Sequence, residues 1–155
     1  MRWALSLLLF SGCAGRQIEQ DDSLKISQSF ACPLPAHQGF LQVQPDGGVS
    51  LVIFEGFEGP PKSKSTRQKK RLSEADMKDL AAIVAGSGFS AMPEHVGSYP
   101  PRREQTDPCS HTLEVSTGGK TKAVSYIDGD VPADLAGLVH RIGLVLDRYP
   151  WENGE

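Results

Sequence analysis

The sequence predicts an α+β domain in which an antiparallel sheet of about five strands packs two helices on one face. Short runs with alternating apolar side chains occur in pairs, and each pair surrounds a glycine-containing turn, which is typical of β-hairpins. Two longer segments repeat apolar residues at spacings of three and four, which predicts amphipathic helices. Hairpins with one polar face favour a sheet that is covered on only one side.

The first strands follow from the alternation and from the turn residues between them. Residues 23–30 alternate and predict a strand, and residues 32–39 contain two prolines and a glycine that predict a loop. Residues 40–44 and 49–54 are strand-like runs on either side of Pro45-Asp46-Gly47-Gly48, which predicts a hairpin. The glycines supply the positive φ that such a turn requires.

The first helix is predicted after a Gly/Pro loop at 56–63 and a very polar edge strand at 65–71. Ser73 is a suitable N-cap, and acidic residues in the first turn interact favourably with the positive end of the helix dipole. Gly86-Ser87-Gly88 ends the helix, and we expect Phe89 to close over the core. The apolar stripe consists of Met77, Leu80, Ala81 and Val84.

The second half repeats this order after a loop at 91–108 that contains four prolines. Residues 112–116 and 121–127 predict a second hairpin around a Gly-Gly turn. Pro132 suits the first turn of a second helix, which Pro150 ends. The similarity between the two halves of the chain has two explanations. Either the domain consists of two ββα units, or two amphipathic helices resemble each other by chance.

The N-terminal residues have the order of a secretory signal: a basic residue, an apolar run over 3–10 and small residues before Cys13. The apolar run is too short to span a bilayer. Phe10-Ser11-Gly12-Cys13 resembles the lipobox of bacterial lipoproteins, although Leu is usual at its first position. The resemblance implies cleavage before Cys13, a diacylglycerol on its thiol and a fatty acid such as palmitate on its amine. The alternative is an ordinary cleaved signal followed by an unrelated cysteine.

This resemblance organises the chain into a signal peptide at 1–12, a flexible tether at 13–22, one domain at 23–150 and a C-terminal tail at 151–155. It predicts a cell-envelope protein held to a membrane by lipid. Ala14 replaces the Asp that retains enterobacterial lipoproteins in the inner membrane. By that resemblance we expect the outer membrane, with the domain facing the periplasm or the cell surface.

The net charge of −3 argues against general nucleic-acid binding. Residues 62–71 are nevertheless strongly basic. One interpretation is a solvated loop and strand edge, where lysine also prevents edge-to-edge pairing. The other is that Lys69, Lys70 and Arg71 bind an anionic lipid, lipopolysaccharide or an acidic protein partner.

If Cys13 carries lipid, Cys32 and Cys109 are an even pair in an oxidising compartment, which predicts a disulfide. The long loop that it closes corresponds to roughly 4–5 kcal/mol in the chain-entropy description. The competing interpretation is a reactive thiol or a metal site formed by Cys109 and His111.

No catalytic constellation or cofactor motif is visible in the sequence. The histidines have no structural zinc spacing, and Gly86-Ser87-Gly88 follows a helix rather than the strand of a nucleophile elbow. Asp128-Gly129-Asp130 lacks the other ligands of a calcium loop. We therefore expect a protein that is not an enzyme and that needs no metal or cofactor. The four histidines are His37, His95, His111 and His140.

Between residues 40 and 146 the chain resembles a group of small bacterial proteins, often lipoproteins, that includes the emfourins. Emfourins inhibit thermolysin-like metallopeptidases, so the resemblance implies peptidase inhibition. Emfourins usually carry Gly-Gly-Phe, whereas this chain has Gln38-Gly39-Phe40, and no inhibitory residue is assigned. The residues that form the resemblance are Leu72-Ser73, Leu80, Gly88-Phe89-Ser90-Ala91-Met92-Pro93, Asp107, Leu113-Glu114-Val115, Gly119-Lys120, Val124, Asp128-Gly129-Asp130-Val131-Pro132 and Leu135.

These observations predict a lipid-anchored, non-catalytic domain that binds a protein, such as a peptidase, or another envelope component. Inhibition of thermolysin-like metallopeptidases and an enzyme or metal site around Cys109 and His111 remain the alternatives.

Overall fold

The structure, a computed structural model, describes residues 24–33, 37–55, 64–97 and 108–154. Cys13, the predicted signal and tether, the 56–63 loop and most of the 91–108 loop lie outside the described residues. The described elements are β1 Lys25–Cys32, β2 His37–Val43, β3 Gly48–Glu55, β4 Lys64–Arg71, α1 Glu74–Ala85, a 3-10 turn Phe89–Ala91, β5 Ser110–Thr117, β6 Lys120–Ile127, α2 Ala133–Leu146 and β7 Glu152–Asn153. Neither described helix has the length and apolar content that a membrane span requires.

All described strands form one antiparallel sheet with the order β6-β5-β1-β2-β3-β4-β7. The predicted α+β class with two helices is confirmed, but the sheet has seven strands rather than about five. Strand β1 lies between β2 and β5 and therefore joins the meander β2–β4 to the hairpin β5–β6.

Strand β4 corresponds to the polar edge strand predicted at 65–71, and β7 is the strand that the sequence does not predict. Strand β4 consists only of polar residues, and its inward-facing position is occupied by Lys70, which is 6% exposed. Residues 151–154 were expected to form a tail, but Trp151 packs against the core. Strand β7 then pairs with Gln68 and Lys69 of β4.

The two halves of the chain differ in strand number. Helix α2 follows the hairpin β5–β6, whereas α1 follows a four-strand meander in which β4 separates the hairpin β2–β3 from the helix. Two strands, β3 and β4, therefore lie between the Gly-Gly turn at 47–48 and α1, whereas β6 alone lies between the turn at 118–119 and α2.

One face of the sheet, termed the closed face, forms a single core with both helices. Its register is centred on Ile26, which pairs with Val43 on one side and Val115 on the other, and all three are buried. Phe89 is 2% exposed, so its predicted position over the core is confirmed. Helix α2 contributes Leu135, Leu138, Ile142, Val145 and Leu146.

The turn between β2 and β3 helps to position the start of α1. Gly47 has φ 81°, and a Cβ at this position would lie 2.7 Å from the carbonyl oxygen of Leu72. The amide of Leu72 donates to the carbonyl of Gly47 at 2.9 Å. Ser73, the predicted N-cap, then accepts from the amide of Asp76 and completes a capping box.

Candidate functional site

The predicted disulfide links Cys32 at the end of β1 to Cys109 just before β5, across 77 residues of sequence. The two Cα atoms are 4.2 Å apart, as expected for neighbouring positions of adjacent antiparallel strands. With its sulfur bonded to Cys32, Cys109 offers no thiolate for nucleophilic attack or for binding a metal.

The second residue of the alternative site, His111, lies on the closed face near the disulfide. Its ring stacks on Tyr126 with 4.9 Å between centroids, and burial raises the pKa of Tyr126 to about 12. His111 Nε2 is 2.8 Å from Oδ1 of Asp128, but the contact lacks hydrogen-bond alignment. The described residues contain no group of three or more His, Cys, Asp or Glu side chains suited to a metal ion.

The opposite side of the sheet, termed the open face, is covered by neither described helix. Many of its side chains are small hydroxyls or amides, and some of these join across strands, as in the 3.0 Å contact between the hydroxyls of Thr112 and Ser125. Polar open-face residues on β1, β2, β3, β5 and β6 are Lys25, Ser27, Ser29, Gln38, Gln42, Ser50, Ser110, Thr112, Glu114, Ser116, Thr121 and Ser125.

An aromatic patch, formed by Phe40, Val52 and Phe54, interrupts this polar surface. Phe40 is 48% exposed and meets Phe54 edge-to-face, with 6.5 Å between centroids. Val52 is the cross-strand neighbour of Phe40. A shallow hollow of about 190 Å³ beside Phe40 is lined in part by Ser29, Ala31, Gln38, Ser110 and Thr112.

Gly39 and Phe40 are adjacent in β2, and a different feature of the structure explains each residue type. Gly39 is buried on the closed face, where a Cβ would approach the ring of Phe30 to 2.5 Å. Any larger side chain at position 39 would displace that ring. Phe40 points to the opposite side, because successive strand residues alternate between faces, and it remains exposed.

The three residues predicted to bind an anionic partner separate between the two faces. Lys69 is exposed on the open face. Arg71 is also exposed, but its guanidinium pairs with Oδ2 of Asp46 at 3.2 Å. Lys70 lies on the closed face and is not part of this surface. Arg67, at the cross-strand position next to Val52, is the basic residue that adjoins the aromatic patch.

The ammonium group of Lys70 holds the C-terminal end of α2. It donates to the carbonyl oxygens of Leu146 at 2.6 Å and Tyr149 at 3.1 Å, and it lies 3.7 Å from the ring centroid of Trp151. Burial lowers the pKa of Lys70, while Asp147 opposes this effect. A cation at a helix C-terminus is favourable because the last carbonyls have no partner within the helix.

A second polar cluster joins the start of α1 to the end of α2. Asp76 is 3% exposed and accepts from the Ser73 hydroxyl, from Tyr149 Oη at 2.8 Å and from Arg148 at 2.5 Å. Arg148 also bonds Asp79 at 2.8 Å. These donors, with Ser73 the largest contributor, hold the pKa of Asp76 well below its usual range. The cluster lies between the helices, so we interpret it as structural.

No known family model matches the chain, and no curated protein matches its sequence. Lys70, Asp76 and Arg148 were not predicted as partners, and the structure brings them to the ends of the two helices. The alternation of strand residues indicates the exposure of Phe40, because its neighbours Leu41 and Val43 are the apolar residues of the other face.

Proposed function

We propose that this protein is a lipid-anchored, non-catalytic component of the cell envelope that binds a partner protein through the open face of its sheet. The observation that supports this most directly is Phe40, which is 48% exposed on a sheet face that neither described helix covers.

An exposed aromatic ring at this position is suited to binding. Burying a phenylalanine side chain contributes about 1.5–3 kcal/mol, and much of this remains unused while Phe40 faces water. Because Phe54 contacts its ring, Phe40 has a neighbour that restricts its motion before a partner arrives. Aromatic and arginine side chains are also the residues that most often supply binding energy at protein interfaces.

The surroundings of the patch resemble the polar rim of an interface. Short serine and threonine side chains lose little conformational entropy when a partner covers them. Arg67 and Lys69 are exposed on the adjoining strand, and neither forms an ion pair with a described residue. They favour a partner surface that places carboxylates beside its apolar contact.

The proposed envelope location is supported by two features, each of which is typical of exported proteins. The Phe10-Ser11-Gly12-Cys13 motif predicts lipid on Cys13, and the Cys32–Cys109 disulfide is of the kind that persists in an oxidising compartment. Intact-mass measurement of the native protein extracted from membranes tests this. We expect a chain that begins at Cys13 and carries three acyl chains, and a retained leader would contradict the anchor.

Partner capture from native envelopes tests the binding proposal. Leu144, which is 55% exposed on α2, provides a matched control for Phe40, since both are exposed apolar residues but only Phe40 lies on the open face. We expect Phe40→Ser to lose a protein that the wild type recovers and Leu144→Ser to keep it, with thermal unfolding confirming that both variants fold. Equal recovery by the two variants would contradict an interface at the open face.

Inhibition of a thermolysin-like metallopeptidase is a second candidate. It is favoured by the exposure of Phe40, which belongs to the part of the sequence that resembles emfourins. Titration of thermolysin with the folded protein should then reduce peptide hydrolysis in wild type but not in Phe40→Ser. Unchanged hydrolysis at micromolar protein would exclude this enzyme as the partner.

A further inference from the structure

Strand β2 is the middle one of the seven described strands, and the two flanks of the open face on either side of it differ in shape. On one flank, β3 presents the large side chains of Val52 and Phe54. At the positions that mirror them across β2, β1 presents the small side chains of Ser29 and Ala31. One flank of the open face therefore projects where the other is recessed.

The recess on the β1 flank is the hollow of about 190 Å³ beside Phe40. Its lining includes the small side chains of Ser29, Ala31 and Thr112. An apolar cavity of about 150 Å³ can hold benzene, so the hollow has room for one phenyl ring. The projecting flank offers such a ring in Phe54, at the mirrored position.

Two charges of the open face mirror each other in the same way. One cross-strand row runs from Glu114 on β5 through Ser27, Gln42 and Ser50 to Lys69 on β4. Because Gln42 of β2 is in the middle of this row, Glu114 and Lys69 lie on opposite sides of β2, each two strand spacings or about 10 Å away. Neither forms an ion pair with a described residue.

The open face is close to electrical balance. Lys25 lies diagonally next to Glu114, and Glu152 lies beside Lys69, but neither contact is an ion pair. A surface that carries both charges in similar number can approach a copy of itself without strong repulsion. The described cations on this side are Lys25, Arg67, Lys69 and Arg71, and the described carboxylates are Asp46, Glu114 and Glu152.

A two-fold axis that runs parallel to β2 above the open face brings these complementary features together. The rotation exchanges the two flanks, so it places Phe54 of each copy over the hollow of the other. It also places Lys69 of each copy opposite Glu114 of the other. Phe40 and Gln42 lie near the axis and meet their own counterparts, because both belong to the middle strand.

This rotation agrees with the way in which sheets pack. It keeps the twist of the two sheets in phase, and face-to-face sheets have strand directions within about 30° of each other. Such a crossing displaces the outer strands relative to each other, and the flexible stem of Lys69 can follow that displacement to reach a carboxylate.

The open face is large enough for a stable dimer. Strand β1 has 8 residues, which correspond to about 26 Å at roughly 3.3 Å per residue, and five strands span about 24 Å. The overlap is therefore about 600 Å² on each copy, or about 1,200 Å² in total, which reaches the range of specific interfaces.

We propose that the partner of the open face is a second copy of this chain, related by a two-fold axis along β2. This rests on the proposed binding function of the open face and identifies the partner. The rotation leaves the strands of both copies pointing in one direction, so Leu24 of each copy lies at the same end of the dimer. Both chains can therefore be anchored in one membrane through Cys13.

Sedimentation equilibrium of the mature chain with Cys13→Ser measures association without the lipid. We expect a dimer at about 0.1 mM, where a dissociation constant of micromolar order gives mostly dimer. Lys69→Glu or Glu114→Lys alone should raise the dissociation constant about tenfold or more, because each change creates two like-charge contacts in the dimer. The double change reverses both partners and should restore the dissociation constant to within about threefold of wild type.

Arg141→Glu, which reverses an exposed charge on α2, is the control and should leave association unchanged. The proposal is overturned if wild type is a monomer at this concentration, if the double reversal associates as weakly as the single changes, or if Arg141→Glu weakens association equally. Thermal unfolding confirms that each variant is folded. A monomeric wild type that still captures another protein through Phe40 would contradict the dimer and leave the proposed function intact.

Discussion

The two faces of the sheet contain residues from the same strands but have different chemistry. Adjacent residues of β4 make the contrast plain: Lys70 is buried against the C-terminal end of α2, while Lys69 is exposed on the open face. On the neighbouring strands the closed face buries Val43 and Val49, whereas the open face exposes Phe40. A charged residue thus lies inside the protein and an aromatic residue lies outside it.

We expect residues of the closed face to determine stability and residues of the open face to determine binding. Side chains on the closed face have their partners within the fold, so changing them should alter the free energy of unfolding. Exposed side chains on the open face, such as Phe40, do not belong to the core, so changing them should alter binding and leave folding nearly intact. The following predictions test this separation, beginning with the largest expected effect.

Removing the disulfide should produce the largest loss of stability. The double change Cys32→Ala and Cys109→Ala releases a loop of 77 residues, which lowers the free energy of unfolding by roughly 4–5 kcal/mol in the chain-entropy description. Urea denaturation of both proteins measures the difference. A loss below about 1 kcal/mol would mean that the link does little to restrict the unfolded chain.

Truncation of a core residue should be more severe than truncation on the open face. Leu138 is fully buried on α2, and Leu138→Ala should lower the free energy of unfolding by about 2–5 kcal/mol because it leaves a cavity. Phe40→Ala removes a larger side chain but should change stability by less than about 1 kcal/mol. Equal losses in urea denaturation would show that the open face is part of the folded core.

Neighbouring lysines on β4 should differ in the same way. Lys70→Met retains an apolar stem but leaves the carbonyls of Leu146 and Tyr149 without their donor, which should cost about 1.5–3 kcal/mol. Lys69→Met should remain within about 0.5 kcal/mol of wild type. If thermal unfolding reverses this order, the assignment of the two residues to opposite faces is wrong.

The smallest effects should come from the capping box of α1. Ser73→Ala removes the side-chain acceptor for the Asp76 amide and should cost about 1 kcal/mol at neutral pH. Urea denaturation at neutral pH measures this loss.

The other member of the box should affect stability in a pH-dependent way. The pKa of Asp76 is lower in the folded state than in the unfolded state. Its contribution is therefore complete above the unfolded value of about 4 and is lost as the pH falls toward the folded value. The stability difference between wild type and Asp76→Asn should shrink below about pH 4. A difference that stays constant across this range would contradict the ionised network.

Most of the features that the sequence predicted correctly depend on neighbouring residues, and the disulfide, which depends on the number of cysteines, is the exception. The Gly47 turn and the Ser73 cap each require contacts within a few positions, so their residue types identify them. The α+β class followed from repeated local patterns, and the disulfide followed from cysteine number once Cys13 was set aside.

The missed features depend on residues far apart in the sequence. Lys70 is stabilised by carbonyls about 76 residues later, so a lysine within a polar strand gave no indication of burial. Asp76 meets Arg148 across 72 residues, and the sequence predicted only its favourable position near the helix N-terminus. Strand β7 has 2 residues, too few for any alternation to be recognised.

Site-specific photo-cross-linking in intact envelopes tests the central claim most directly. A photoreactive side chain would replace Phe40 on the open face or Leu144 on α2, two positions of similar exposure. We expect a discrete protein adduct from position 40 and none from position 144. Adducts of equal yield from both positions, or an adduct from position 144 alone, would contradict recognition through the open face.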